Sequence, residues 1–300
     1  MEPLGPVQSV VIVGTGRMAP GIAAACALAG SAVTITGRSQ ARAEAAAQAA
    51  TSLAGRAVHS APLTEEAFAG VEVVIETVVE DRAVKHELLG TIERGLSADA
   101  VLATNTSSLP IDELAEGLSR PEGFAGLHFL NPAQLTAVVE VVPGRATSPE
   151  TVARLVELVA QMGKRPLVLR HDVPGFIWNR IQFAVLRECL HILDEQVADA
   201  AAIDAAVSDG LAPRWLAAGP LATVDLGGIE TFRRAAENLF PLLASDVAVP
   251  ASLSGGAAAD AAFYRWTPES TAAIEALRAE ALDAGRRIAD RRTAEAPDPN

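Results

Sequence analysis

Cysteine is scarce in this chain: Cys26 and Cys189 are the only two in 300 residues. They fall in helical patterns far apart, with neither pairing nor metal-ligand spacing. That excludes a disulfide framework and leaves buried thiols in a reducing cytoplasm as the expectation, with no metal site. Basic residues are outnumbered, 24 Lys and Arg against 37 Asp and Glu, for a net charge of −13. Such a balance argues against nucleic acid and against an anionic membrane surface as partners. No apolar run reaches about 18 residues without a charge or helix breaker, so no transmembrane helix is expected. The opening residues M-E-P-L-G-P lack the charged and apolar regions of a signal peptide. Internal repeats are absent, and the one biased stretch is the polar A-P-D-P-N run at 296–300, expected to fray. What remains is a chain that is 50% hydrophobic and 20% charged, long enough for one large or two medium domains with a substantial core.

The most informative stretch, residues 10–23, reads V-V-I-V-G-T-G-R-M-A-P-G-I-A. A β-branched run meets two glycines one residue apart, and a small-residue helical pattern follows. This is the strand–turn–helix that opens a dinucleotide-binding fold. Gly14 allows the tight turn, Gly16 lets a pyrophosphate approach the backbone, and Ala19 holds the small third position. Gly14, Gly16, Arg17 and Met18 are therefore candidate cofactor contacts. The second strand, A-V-T-I-T at 32–36, ends in Gly37, Arg38 and Ser39 and not in the usual Asp or Glu. No carboxylate is there to repel a 2′-phosphate, and Arg38 and Ser39 stand ready to bind one, so NADP(H) is favoured over NAD(H). The alternative is Arg38 stacked on adenine in an NAD enzyme that lacks the acid.

Strand signals recur at about 8–13, 32–36, 71–76, 100–104, 124–128, 136–142 and 166–169, with helices at about 17–29, 39–54, 81–94, 110–118 and 148–162. This βαβα rhythm implies an α/β domain, a doubly wound, mostly parallel Rossmann sheet over residues 1–170. After H-D-V-P-G at 171–175 the strand signals stop. Helices read at about 174–197, 200–208, 225–243 and 268–290, with Pro174 in the first turn of the longest. Residues 171–300 are thus expected to form an all-α domain for substrate binding and dimerisation.

Four polar landmarks follow the dinucleotide turn: T-N-T-S-S at 104–108, G-L-H-F-L-N-P at 126–132, V-V-E-V at 138–141 and P-G-F-I-W-N-R at 174–180. Ser107 follows a strand on the carboxyl edge where cofactors bind, and His128 ends the next strand. Glu140 lies among Val138, Val139, Val141 and Val142, so if buried it needs a partner, and a histidine is the obvious one. A glutamate on one ring nitrogen would fix the tautomer and leave the other nitrogen to move a proton. Singly, each has a plain structural reading: His128 a bonded core residue, Ser107 a helix cap, Asn179 a polar helix residue, Glu140 a solvent-facing edge residue. Their order after the turn favours a site.

In these residues the chain resembles the 3-hydroxyacyl-CoA dehydrogenase superfamily, which also includes L-gulonate 3-dehydrogenase (λ-crystallin) and carnitine dehydrogenase. V-I-E-T-V-V-E-D, N-T-S-S-L, G-L-H-F-L-N-P and the Pro-Gly-Phe to Asn-Arg run carry the likeness over nearly the whole chain. The resemblance implies that His128 is the catalytic acid/base and that Glu140 orients it. Ser107 and Asn179 would hold the substrate oxygen. Glu80 and Lys85 would contact the nicotinamide ribose, and Asn131 would sit beside the nicotinamide. Asn105, in the same run as Ser107, is assigned to the cofactor as well. The segment S-D-G-L-A-P-R-W at 208–215 is similar to the λ-crystallin branch, so Arg214 is either a polar-substrate contact or a surface arginine.

Two departures bear on substrate. The stretch 38–71 has room for one helix and a short strand, but not for the long helical arm with which acyl-CoA members contact CoA. Thr136-Ala137 also replaces the usual Met-Lys before the V-V-E-V strand. Both argue against a CoA thioester held in the usual manner. The expectation is an NADPH-dependent, cytoplasmic, homodimeric ketoreductase acting on a small-molecule β-keto compound, similar to polyketide-tailoring members. The alternatives are an oxidising 3-hydroxyacyl-CoA or sugar-acid dehydrogenase and a non-enzymatic crystallin-like protein.

Overall fold

The computed structural model describes residues 5–249, 253, 263, 264 and 266–295, with side chains as far as residue 291. The polar run at 296–300 lies outside them. The described chain divides into two compact units, one to Arg180 and one from Ile181.

The first unit is built on eight strands: β1 (Ser9–Val13), β2 (Ala32–Gly37), β3 (His59–Pro62), β4 (Val73–Glu76), β5 (Val101–Thr104), β6 (Phe124–Phe129), β7 (Val138–Pro143) and β8 (Arg165–Val168). Their order is β3-β2-β1-β4-β5-β6-β7-β8, parallel except for the antiparallel β6–β7 pair. This is the expected Rossmann sheet. Its central strands are fully buried apolar runs because helices cover both faces. On one face lie α1 (Ala19–Leu28), α2 (Gln40–Ala54) and α5 (Pro149–Gln161); on the other lie α3 (Arg82–Gly95) and the short α4 (Ile111–Ala115). The alanines of α1 and α2 bury against strands and each other because they lack bulk. Cys26 sits in α1 with its thiol pushed up to about 12 by burial, an inert core group.

The order of strands along the sheet switches between β1 and β4, one branch running to β2 and β3 and the other to β5 and beyond. In such sheets the crevice outside the carboxyl ends at this switch point is the ligand site. Gly14 makes the turn there with φ of +136°, and a Cβ on it would stand 2.4 Å from the Thr77 carbonyl oxygen. Only glycine fits, for both conformational and steric reasons.

β4 ends in Glu76, wholly buried. Lys85 of α3 donates to both its oxygens at 2.8 and 2.9 Å, the Thr104 hydroxyl donates at 2.7 Å and the Val78 N–H at 2.6 Å. This network fixes β4, β5 and α3 together below the crevice.

The segment 174–177 departs from the expected helix. Gly175 and Phe176 take left-handed conformations, with φ of +77° and +50°, so the helix α6 begins only at Trp178 and runs to Asp194. A helix cannot pass through two such residues. The second unit continues with α7 (Ala200–Ala205), a π-helical turn (Ala206–Leu211), α8 (Ala212–Gly227), α9 (Ile229–Leu239) and α10 (Pro268–Glu295). α8 lies where no helix was expected. Pro213 and the Gly219-Pro220 pair read as breakers, yet Pro213 sits in the first turn and the pair makes a kink at Gly219, φ +74°, inside the helix. Among the described residues no helix is long and apolar enough to cross a membrane.

Replacing Lys85 by Met leaves Glu76 buried without its cation, which is expected to cost about 3–5 kcal/mol of folding stability. Urea unfolding of Lys85→Met against the Glu76→Gln, Lys85→Met double variant checks this: the double variant should recover part of the loss.

Candidate active site

The crevice is a cleft of about 700 Å³. Its floor comes from the turn after β1, with Gly14, Gly16, Arg17 and Met18, and its sides from the ends of β2, β4 and β5. A Cβ at Gly16 would meet nothing within 4 Å, so the backbone there is open to a ligand's close approach. Arg38 and Ser39 line one end. Glu80, Asn105 and Ser107 line the cleft as well. The donor set suits a nicotinamide dinucleotide: a glycine turn for the pyrophosphate, cations at the β2 end and a carboxylate at the β4 end.

Each expected cofactor residue has a definite setting. Ser39 caps α2, its hydroxyl oxygen accepting from the Arg42 N–H at 3.4 Å, which leaves its hydrogen to donate. Met18 is half-buried and packs against the core beneath α1. Glu80 Oε1 accepts from the Thr106 hydroxyl at 2.6 Å and from the Ser107 N–H, Ser108 N–H and Ser108 hydroxyl at 2.9 Å each. Burial pushes the Glu80 carboxyl up, but these bonds and the nearby Lys85 ammonium outweigh it and hold the group below the ordinary carboxylate value. Asn105 is committed on both sides of its amide, accepting from the Phe129 N–H at 2.8 Å and donating to Thr77 Oγ1 at 3.4 Å. It ties the ends of β4, β5 and β6.

Lys85, expected at the nicotinamide ribose, has a side chain that is 1% exposed and is held by Glu76. Its link to the cleft is Glu80, 3.6 Å away. Asn131 is half-buried just past β6. Arg214 is exposed at the start of α8, in the second unit.

His128 and Glu140, expected to be partners, meet. His128 of β6 and Glu140 of β7 are register partners across the antiparallel pair, and His128 Nδ1 lies 2.6 Å from Glu140 Oε2. Both side chains are buried, 4% and 1% exposed. Glu140 Oε1 accepts two further bonds, from the Ile177 and Trp178 N–H groups, both at 2.9 Å. Both carboxyl oxygens therefore act as acceptors and Nδ1 carries the hydrogen, which leaves Nε2 as the ring nitrogen able to take or give a proton. The next residue, Asn179, donates from Nδ2 to the Ser107 carbonyl oxygen at 3.0 Å. Thus 177–179 bridges two pairs, His128–Glu140 and Ser107–Asn179. Phe176 sets its ring edge-on to the imidazole, centroids 5.4 Å apart. Sequence reading missed Phe176, Glu76 and Arg42, which also lines the cleft. Glu76 carried the same signal as Glu140, a carboxylate ending an apolar strand.

Residues 9–173 match the family described as 3-hydroxyacyl-CoA dehydrogenase, NAD binding domain, and residues 175–255 match its C-terminal domain. The chain belongs to this family. It is an oxidoreductase that uses a nicotinamide dinucleotide and acts on hydroxyl and keto groups. A 5-formyl-3-hydroxy-2-methylpyridine 4-carboxylate 5-dehydrogenase of Mesorhizobium japonicum is 32% identical over 95% of this chain and 99% of its own length. A crystal structure under that enzyme name, described as an NAD+ dependent dismutase, has a TM-score of 0.86 at 29% identity, covering 97% of this chain and 100% of the other. The (S)-3-hydroxybutyryl-CoA dehydrogenase of Ralstonia eutropha has a TM-score of 0.64 at 30% identity, covering 78% of this chain and 87% of its own.

General acid–base catalysis is worth about a hundred- to ten-thousand-fold in rate. His128→Ala should lower turnover by about that factor while cofactor affinity, read by fluorescence titration, stays within about threefold. Glu140→Gln keeps an acceptor for the two N–H groups but presents an amide to Nδ1. It should lower turnover and move its pH profile without unfolding the protein.

Proposed function

We propose that this enzyme is an NADPH-dependent ketoreductase that reduces a β-keto compound, of the kind formed in polyketide biosynthesis, to its 3-hydroxy product. The nicotinamide, when bound, supplies the hydride to the carbonyl carbon. In its doubly protonated form His128 gives the Nε2 proton to the carbonyl oxygen and keeps the hydrogen on Nδ1, which donates to Glu140. Ser107 offers its hydroxyl to the same oxygen. Asn179 has one amide hydrogen engaged on the Ser107 carbonyl and a second left for the substrate. The observation that carries the reading is the bridge through 177–179, which makes one unit of proton donor and oxygen-holding pair.

The reductive direction rests on the β2 end, where Gly37, Arg38 and Ser39 replace the usual acid. The substrate reading draws on the missing arm. Between β2 and β4 the described chain has only α2, β3 and one short 3-10 turn, so nothing there could serve as the CoA-contacting arm. The full-length likeness to the pyridine-carboxylate dehydrogenase supports a second reading, NAD-linked chemistry on an aromatic aldehyde. A small, non-thioester carbonyl substrate is common to both. The cytoplasm is the compartment this reading assigns.

We further propose that residues 171–300 serve substrate binding and homodimerisation, with Arg214 as a contact for a polar substrate. Supporting the assembly, Leu221, Leu226, Phe240 and Leu242 of the second unit are all exposed, while Leu190 and Ile203 are its buried apolar residues among those described. Apolar surface on this scale is what a two-fold partner covers.

NADPH should bind about 10- to 150-fold more tightly than NADH, the range of one or two charge-assisted hydrogen bonds. Equal dissociation constants would refute the cofactor assignment. Setting Asp at Gly37 should reverse the preference, but a Cβ there would stand 2.9 Å from the Thr15 γ-methyl. The informative variant is therefore Gly37→Asp with Thr15→Ser, against Thr15→Ser alone. Assembly is tested by sedimentation at micromolar concentration, where twice the mass of one chain is expected and a monomer would contradict the proposal.

A further inference from the structure

Several surface arginines of this protein are held in ion pairs. Arg82 meets Glu113, Arg94 meets Glu65, Arg145 meets Asp112 and Arg154 meets Glu72. Among the described residues Arg38 and Arg42 are not, nor is Arg17 at the glycine turn of the same cleft. Arg38 and Arg42 line the cleft at the β2 end, both are exposed, and among the described residues neither guanidinium makes a hydrogen bond or ion pair. Glu87 of α3 lines the same cleft without pairing to either.

Arg42 is also placed against the local electrostatics. It stands in the first turn of α2, where the helix dipole disfavours a cation, and that turn holds no acidic residue to offset it. Its position gives no packing in return, since the inner face of α2 is made by Ala43, Ala46, Ala47, Ala50 and Ala54. Two unpaired guanidiniums at one end of a cleft, in a chain of net charge −13, form a local anion trap in an otherwise repelling field.

We infer that Arg42 is the specificity-determining partner of Arg38. With the Ser39 hydroxyl, the two guanidiniums form a three-point site for a phosphomonoester dianion, the 2′-phosphate of NADPH. The inference rests on the NADPH reading above and adds to it the residue that carries most of the discrimination. Arg38 follows the strand end directly and can serve either cofactor, by stacking on adenine or by binding phosphate. Arg42 stands a helical turn further on and has a role only when a phosphate is present. The Ser39 hydroxyl oxygen is occupied by the Arg42 N–H at 3.4 Å, which turns its hydrogen outward as a donor.

The test measures dissociation constants of the full chain for NADPH and NADH by fluorescence titration. In the unaltered protein NADPH should bind more tightly. Arg42→Ala should weaken NADPH by about 10- to 100-fold, the loss of a charge-assisted bidentate contact, and change NADH by less than about threefold. Arg42→Lys should fall between, because an ammonium offers a point charge without the fork. If the unaltered protein prefers NADPH and Arg42→Ala keeps that preference, the role given to Arg42 is wrong while the NADPH reading stands. Equal loss of both cofactors in Arg42→Ala would also overturn it, since the residue would then serve the helix or the shared part of the ligand. If the unaltered protein binds the two cofactors equally, the NADPH reading falls and this inference with it.

Discussion

Glu140 sits where no water can reach it, and a carboxylate in such a place must be surrounded by donors or it destabilises the fold. Its three donors come from two sources. One is the imidazole across the β6–β7 pair, and two are backbone N–H groups at the start of α6. The same requirement therefore orients the His128 ring and anchors the chain that carries Asn179. Phe176 makes this possible: its left-handed backbone ends the extended segment and lets the next two N–H groups face one oxygen. A non-glycine residue in that conformation costs free energy, and its burial against His128 offsets the cost.

A second buried carboxylate works in parallel. Glu76 takes Lys85, Thr104 and the Val78 N–H, and the lysine reaches on toward Glu80, which gathers the loop of Ser107. Charge near the reacting end of the cleft is thus held in a fixed network, with little freedom to rearrange as a substrate arrives. The β2 end is the opposite, with exposed arginines unsatisfied by the protein itself. Fixed dipoles at one end thus contrast with available cations at the other.

Much of the sheet was legible from periodicity, because buried parallel strands appear as short β-branched runs between breakers. Val73–Glu76 and Val101–Thr104 are examples. The helical unit was less legible. α8 lies where no helix was expected, and it kinks at Gly219, whose backbone is not helical. Conversely, 174–177 reads as the start of a helix, and two positive φ values stop it. Backbone conformations of that sort are decided by the bonds the flanking groups find, which local composition does not encode.

Residue chemistry and order alone determined that a glycine turn would follow β1, that no acid would end β2, and that a histidine and a glutamate would lie on adjacent strands. Those features depend on local sterics and on period-2 alternation. Only the tertiary structure decided how partners were shared. Lys85 found the buried Glu76 and donates to both its oxygens. Asn179 found the Ser107 carbonyl, and Glu140 took two N–H groups from beyond β8 as well as the imidazole. Hydrogen bonds between residues distant in sequence compete for the same few buried acceptors, and which competitor wins depends on positions that exist only once the sheet and its helices have packed.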